Sequence, residues 1–273
     1  MDRIELIKQI RQKKSYLCVG LDTDLMKMPA FLRSGANAVF DFNKAIVDAT
    51  RDHCVSYKLN IGFYEVLGSK GWDALKETVD YISKTHFTIA DAKRGDIGSS
   101  SAQYAKTFFE TYDFDAVTVA PYMGEDSIRP FLDYENKVTI VLGLTSNEGA
   151  RDFELLKTSA NKYFYEEVIT KVSTWGTPDN LMFVVGATQA SELVNIRKII
   201  PDHFLLIPGI GFQGGSLEDV SKYGINKDCG LLVNVGRAIT YASSDEKFAE
   251  KAAEVARRYQ EEMEGYLELA IRN

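Results

Sequence analysis

Eight short apolar runs recur along this 273-residue chain, with segments of helical pattern between them. They fall at residues 16–21, 55–60, 87–90, 116–120, 138–144, 181–186, 204–207 and 231–235. Val, Ile, Leu and Phe dominate them, the composition of strands buried on both faces in a parallel sheet. Segments 73–83, 102–112 and 191–199 between them are amphipathic. Eight alternating units without a break in composition predict a single-domain α/β fold, a (β/α)8 TIM barrel over residues 1–273. A doubly wound sheet is the alternative, but it more often has about five or six strands.

Three local signals refine that picture. Ser100 followed by Gln103 predicts a capping box opening the helix after the third strand. Residues 245–269 read as a final helix packed outside the barrel. The connection over 146–180 is about twice an ordinary crossover of roughly 15–20 residues. It contains Asn147-Glu148-Gly149 and Trp175-Gly176-Thr177-Pro178, which predicts a surface lobe or a lid.

Composition narrows the function classes. With 45% hydrophobic residues the chain can bury a full core, and a net charge of −7 argues against a nucleic-acid or membrane surface. An anionic ligand therefore needs a local positive site. Cys18, Cys54 and Cys229 are far apart and form neither a zinc spacing nor a disulfide framework. Residues 1–14 are charged throughout, without the apolar stretch of a signal peptide, and no run approaches the roughly 18 apolar residues of a membrane span. These features predict a soluble cytoplasmic protein.

The chemistry concentrates at strand ends, where barrels of this kind build their sites. The third strand ends in Asp91-Ala92-Lys93-Arg94-Gly95-Asp96-Ile97. Alternation along a strand places Asp91 and Lys93 on one face, and Asp96 adds a second carboxylate from the loop. The first strand ends in Asp22 and the second carries Lys58 in an apolar setting. Each has a plainer role alone: Lys58 at an edge with its amine in solvent, Asp22 capping a turn, Asp96 preceding a helix. Jointly they describe a proton-handling site. The seventh strand leads into Pro208-Gly209-Ile210-Gly211-Phe212-Gln213-Gly214-Gly215, and the eighth into Gly236-Arg237. Glycines let backbone N–H groups approach an anion, and arginine grips phosphate bidentately. Loops after strands seven and eight are the recurrent phosphate site of such barrels.

This constellation resembles the orotidine 5′-phosphate decarboxylase family, from the first strand to the eighth. The Asp-x-Lys-x-x-Asp core alone is shared with related phosphosugar decarboxylases. Lys58, Gln213 and Arg237 make the match specific, and 40–46 together with the long connection look like the longer bacterial-type subgroup. The resemblance implies conversion of orotidine 5′-monophosphate to UMP and CO2, the last step of pyrimidine nucleotide synthesis, with neither cofactor nor metal. It implies that Lys58, Asp91, Lys93 and Asp96 form an alternating charge array at the pyrimidine carboxylate and C6. Lys93 would stabilise the C6 carbanion and donate the proton. Asp96 would come from the neighbouring subunit of a homodimer, with Ile97 and Ser100 crossing the same interface. Asp22 would bind ribose hydroxyls, Gln213 would bridge phosphate and pyrimidine, and Gly236 and Arg237 would hold the phosphate beside Pro208. Thr145 and Ser146 both match the hydroxyl position that contacts the pyrimidine amide.

Three rival readings share parts of this pattern. A 3-keto-gulonate-phosphate decarboxylase shares the core, but such enzymes are metal-dependent and have a glutamate where this chain has Lys58. An ammonium there would repel Mg2+. A Schiff-base aldolase could use Lys58 or Lys93, although flanking aspartates keep a lysine protonated and poorly nucleophilic. A catalytically dead barrel would bind nucleotides or sugar phosphates without turnover. His53, His86 and His203 share no ligand spacing and read as surface or packing residues.

Overall fold

The apolar runs become parallel strands: β1 (Leu17–Gly20), β2 (Ser56–Asn60), β3 (Phe87–Arg94), β4 (Ala116–Val119), β5 (Val138–Leu144), β6 (Leu181–Val185), β7 (Leu205–Pro208) and β8 (Leu231–Val235). In the computed structural model, which describes residues 1–82, 85–211 and 214–272, they pair in sequence order and β8 closes on β1. The closed order excludes a doubly wound sheet. Nearly every strand position is buried, because side chains fill the barrel on one face and meet helices on the other.

The helices are α1 (Arg3–Lys13), α2 (Ala38–Thr50), α3 (Gly62–Glu65), α4 (Ser69–Ile82), α5 (Gly98–Lys106), α6 (Glu125–Leu132), α7 (Phe164–Val172), α8 (Leu193–Ile199), α9 (Leu217–Gly224), α10 (Arg237–Thr240) and α11 (Phe248–Arg272). None among the described residues is long and apolar enough to cross a membrane. Asp2 caps α1 by accepting the Glu5 amide at 2.8 Å. Arg3 then donates to the Asp202 carbonyl at 3.1 Å and to Asp228 Oδ2 at 2.8 Å, in the segments leading into β7 and β8. Helix α1 thus lies across the N-terminal end of the barrel and leaves the other end to the loops. On the flank, Phe42 of α2 stacks on Tyr241 and on Phe248, tying α2 to the start of α11. Burying such a ring contributes about 1.5–3 kcal/mol.

Several sequence expectations need correction. The Ser100/Gln103 capping box does not form: α5 begins at Gly98, whose φ of 54° turns the chain early, and Ser100 lies within its first turn. The helix expected over 102–112 is the end of α5 followed by a π-helical turn at Thr107–Thr111. The helix expected over 191–199 is preceded by a 3-10 segment, Ala187–Glu192. The long connection holds a 3-10 turn at Glu148–Asp152, an antiparallel bridge between Lys157 and Tyr163, and α7.

Candidate active site

Lys58 sits on β2 with only 4% of its side chain exposed, and its ammonium bonds Asp91 Oδ2 at 2.8 Å and Asp22 Oδ1 at 3.1 Å. Burial alone would lower its pKa. The charges of Asp22 and Asp91 outweigh that effect and hold it above the ordinary lysine value. Burial likewise pushes Asp91 upward, but Lys58 and Lys93 together draw its carboxyl well below the usual range. The second Asp91 oxygen pairs with the Lys93 ammonium. One buried carboxylate therefore bridges two ammonium groups, and the half-exposed Lys93 carries the array to the open end of the barrel.

Asp91 and Lys93 meet, but not by strand alternation. Ala90 pairs with Val117 and Arg94 with Val119, so β3 spends residues 91, 92 and 93 where β4 spends only Thr118. The bulge bends β3 at the site, a recurrent use of such irregularities. Lys93 takes a φ of 48°, a left-handed conformation costing on the order of 1–3 kcal/mol for a non-glycine residue. Its amide donates to Thr118 Oγ1 at 2.9 Å. Arg94 braces the far side: it pairs with Glu65, donates to the Ala92 carbonyl at 2.9 Å and lies over the rings of Tyr104 and Phe108.

The sequence placed Asp96 beside Lys93, and within one chain the structure does not. The Asp96 carboxylate accepts the Ile97 amide at 2.8 Å, and no ion pair to it is found among the described residues. Ile97 is 57% exposed, and Ser100 is exposed on α5. Exposed Tyr122 and Met123 belong to the same rim: a Cβ on Gly95 would lie 3.5 Å from the Met123 methyl.

Around the barrel, the loop after β1 is held by Tyr241, whose hydroxyl accepts the Asp24 amide at 2.7 Å and donates to the Asp22 carbonyl at 3.0 Å. β1 and β8 approach closely, since a Cβ on Gly20 would meet the Gly236 Cα at 3.0 Å. Pro208 ends β7, Gly236 precedes α10, and Arg237 opens it as an exposed residue. In the glycine-rich loop, Gly209, Gly211 and Gly214 have φ values of 102°, 77° and 84°. Gly215 donates to the Gly209 carbonyl at 3.2 Å, and only glycine fits there, because a Cβ would come within 2.4 Å of Ala187. Gln213 and Phe212 lie outside the described residues.

Thr145 and Ser146 separate in the structure. The Thr145 amide donates to Glu154 Oε2 at 2.6 Å, and its hydroxyl lies 2.9 Å from Glu154 Oε1 and 2.6 Å from Asn147 Oδ1. Ser146 packs against Gly186, where an added Cβ would come within 2.6 Å of it. Thr118, Glu154 and Tyr241 were not singled out from sequence. A threonine inside the apolar run of β4 was a legible signal; Tyr241 acts across 217 residues and Glu154 through an irregular loop, and neither left one.

A family model described as orotidine 5′-phosphate decarboxylase / HUMPS family matches residues 15–252. A curated relative in Flavobacterium johnsoniae, named orotidine 5′-phosphate decarboxylase, is 58% identical over 95% of this chain and 96% of its own length. One of the same name in Christiangramia forsetii is 57% identical over 97% and 98%. The solved structure of Leishmania donovani OMP decarboxylase superposes with a TM-score of 0.80 at 33% identity, covering 95% of this chain and 99% of that one.

Proposed function

The chain belongs to the orotidine 5′-phosphate decarboxylase / HUMPS family, and we propose that it converts orotidine 5′-monophosphate to UMP and CO2 by means of the Lys58–Asp91–Lys93 array, closing a pyrimidine nucleotide synthesis. The observation that carries this reading is the buried Asp91 carboxylate shared by two lysines at the catalytic end of the barrel. Lys58 occupies the position that separates this chain from its metal-dependent relatives, and its ammonium is locked between Asp22 and Asp91.

The proposed step balances without a cofactor. The bond from C6 to the carboxylate breaks, CO2 leaves, and the electron pair stays on C6. The Lys93 ammonium stabilises that charge as it develops and then gives C6 a proton, to be replaced from solvent. Asp91 keeps Lys93 charged and aimed, since a carboxylate in contact favours the protonated amine. Its own charge beside the substrate carboxylate also disfavours the ground state, a secondary contribution.

Phosphate binding is assigned to Gly236 and Arg237 with the 208–215 loop, including Gln213, and ribose hydroxyls to Asp22. Binding energy from the phosphate would order the loop over the substrate and exclude water. The Thr145 hydroxyl ties Glu154 and Asn147 to the strand end, so the pyrimidine amide is assigned to Ser146, which would exchange a contact of its own for the substrate.

A homodimer completes the site in this reading. The bulky apolar side chains of Ile97, Tyr122 and Met123 are exposed beside Asp96, a rim suited to a second copy. Asp96, Ile97 and Ser100 would then serve the neighbouring site. Three buried free thiols support a reducing cytoplasm as the place of action.

The test is to mix purified protein with orotidine 5′-monophosphate and EDTA and to follow loss of the orotate absorbance. Rapid formation of UMP without metal supports the reading. No conversion by a folded dimer would refute it.

A further inference from the structure

We infer that Thr118 is a positioning residue, whose single hydroxyl ties the backbone of Lys93 to the carboxylate that orients its ammonium. The inference rests on the decarboxylase reading for its effect on turnover, but its geometry stands apart from that reading. Thr118 is fully buried on β4, opposite the bulge that Asp91, Ala92 and Lys93 form in β3. A bulge leaves backbone groups without ladder partners, and here the Lys93 amide finds its acceptor in Thr118 Oγ1 at 2.9 Å.

The same oxygen donates its own proton to Asp91 Oδ1 at 3.2 Å. Oδ1 is also the oxygen that pairs with the Lys93 ammonium. A closed circuit results, running from Lys93 N through Thr118 Oγ1 and Asp91 Oδ1 back to Lys93 Nζ. It fixes both ends of Lys93 at once: the left-handed backbone and the side-chain tip. Only a hydroxyl can do this in so little space, since it accepts and donates through one atom. Valine has the same shape and can do neither, whereas serine keeps both functions.

The experiment compares wild type, Thr118→Val and Thr118→Ser as full-length protein. For orotidine 5′-monophosphate, Thr118→Val is expected to lower kcat about 10–100-fold with KM little changed, as a misplaced reacting group does. Thr118→Ser should recover most of the loss. Thr118→Ala, which also lacks the hydroxyl, replaces the valine variant if that one fails to fold. A second readout needs no turnover: acylation of Lys93 by an amine reagent, followed by peptide mass spectrometry. Release from Asp91 should raise Lys93 labelling several-fold in Thr118→Val and leave it at the wild-type rate in Thr118→Ser. Wild-type kcat together with wild-type labelling in the hydroxyl-free variant would overturn the inference. Inactive wild-type protein with the predicted labelling change would instead refute the substrate assignment and leave the role of Thr118 standing.

Discussion

Lys58 Nζ lies 2.8 Å from Asp91 Oδ2, and the two side chains are only 4% and 10% exposed. An ion pair this deep is a poor investment for stability alone, because desolvation offsets most of its attraction. Its use is to hold a fixed charge pattern at the end of β2 and β3. Removing one member should therefore be costly. Lys58→Met leaves Asp22 and Asp91 without their shared cation and should destabilise the fold by about 3–5 kcal/mol. Thermal unfolding should show this as a drop of roughly 10 °C. Adding Asp91→Asn should recover much of the stability and none of the activity. A Lys58→Met protein as stable as wild type would show that the pair is not buried in solution.

Arg237 is predicted to matter far from the reacting atoms. Arg237→Ala should lower kcat/KM by several orders of magnitude in a protein that still folds, because the side chain is exposed. A loss smaller than tenfold would remove Arg237 from the phosphate site.

Thr145 and Ser146 should respond differently to substitution. Ser146→Ala removes the proposed pyrimidine contact and should cost about 10–100-fold in kcat/KM. Thr145→Val removes the hydroxyl half of the tether between the end of β5 and the long connection, Glu154→Ala removes all of it, and each should lower stability by about 1–2 kcal/mol. If Thr145→Val matched Ser146→Ala in kcat/KM while keeping full stability, the assignment of the two hydroxyls would be reversed.

Acid sensitivity should come from histidines far from the site. Burial, aided by the charge of Lys13 and opposed by the hydrogen bond to the Arg51 carbonyl, lowers His86 to about 4. Burial, with Arg197 and Arg3 against Asp202, lowers His203 to about 4 as well. Both are neutral when folded, so the unfolded chain binds more protons between pH 6.5 and 4. Their contribution is complete above pH 6.5 and is lost as pH falls through 4. Denaturant unfolding should show stability declining over this window, by roughly 2–3 kcal/mol per histidine. A flat profile would contradict their burial. Asp91, held below the usual carboxylate range, adds its own loss only below pH 3.8.

The barrel was legible because its signal is periodic: eight runs with two-sided burial are hard to arrange otherwise. The charged residues at strand ends were legible for the same reason, since fold and register predict where they project. What escaped was local irregularity. Alternation brought Asp91 to Lys93 by the wrong route, because a bulge opposite Thr118 and a left-handed Lys93 depend on both strands at once. The capping box failed because Gly98 starts the helix two residues before Ser100, and a glycine's sign of φ is invisible in sequence. The Glu154 tether joins residues nine positions apart across an irregular loop, where no period exists to read.

The most direct test of the central claim is the turnover of orotidine 5′-monophosphate by Lys93→Ala beside wild type, in EDTA and at matched protein concentration. The Lys58–Asp91–Lys93 account predicts fast metal-free decarboxylation by wild type and a rate near background for the variant, with Tm close to wild type because Lys93 is half-exposed. Ordinary turnover by folded Lys93→Ala protein would contradict it.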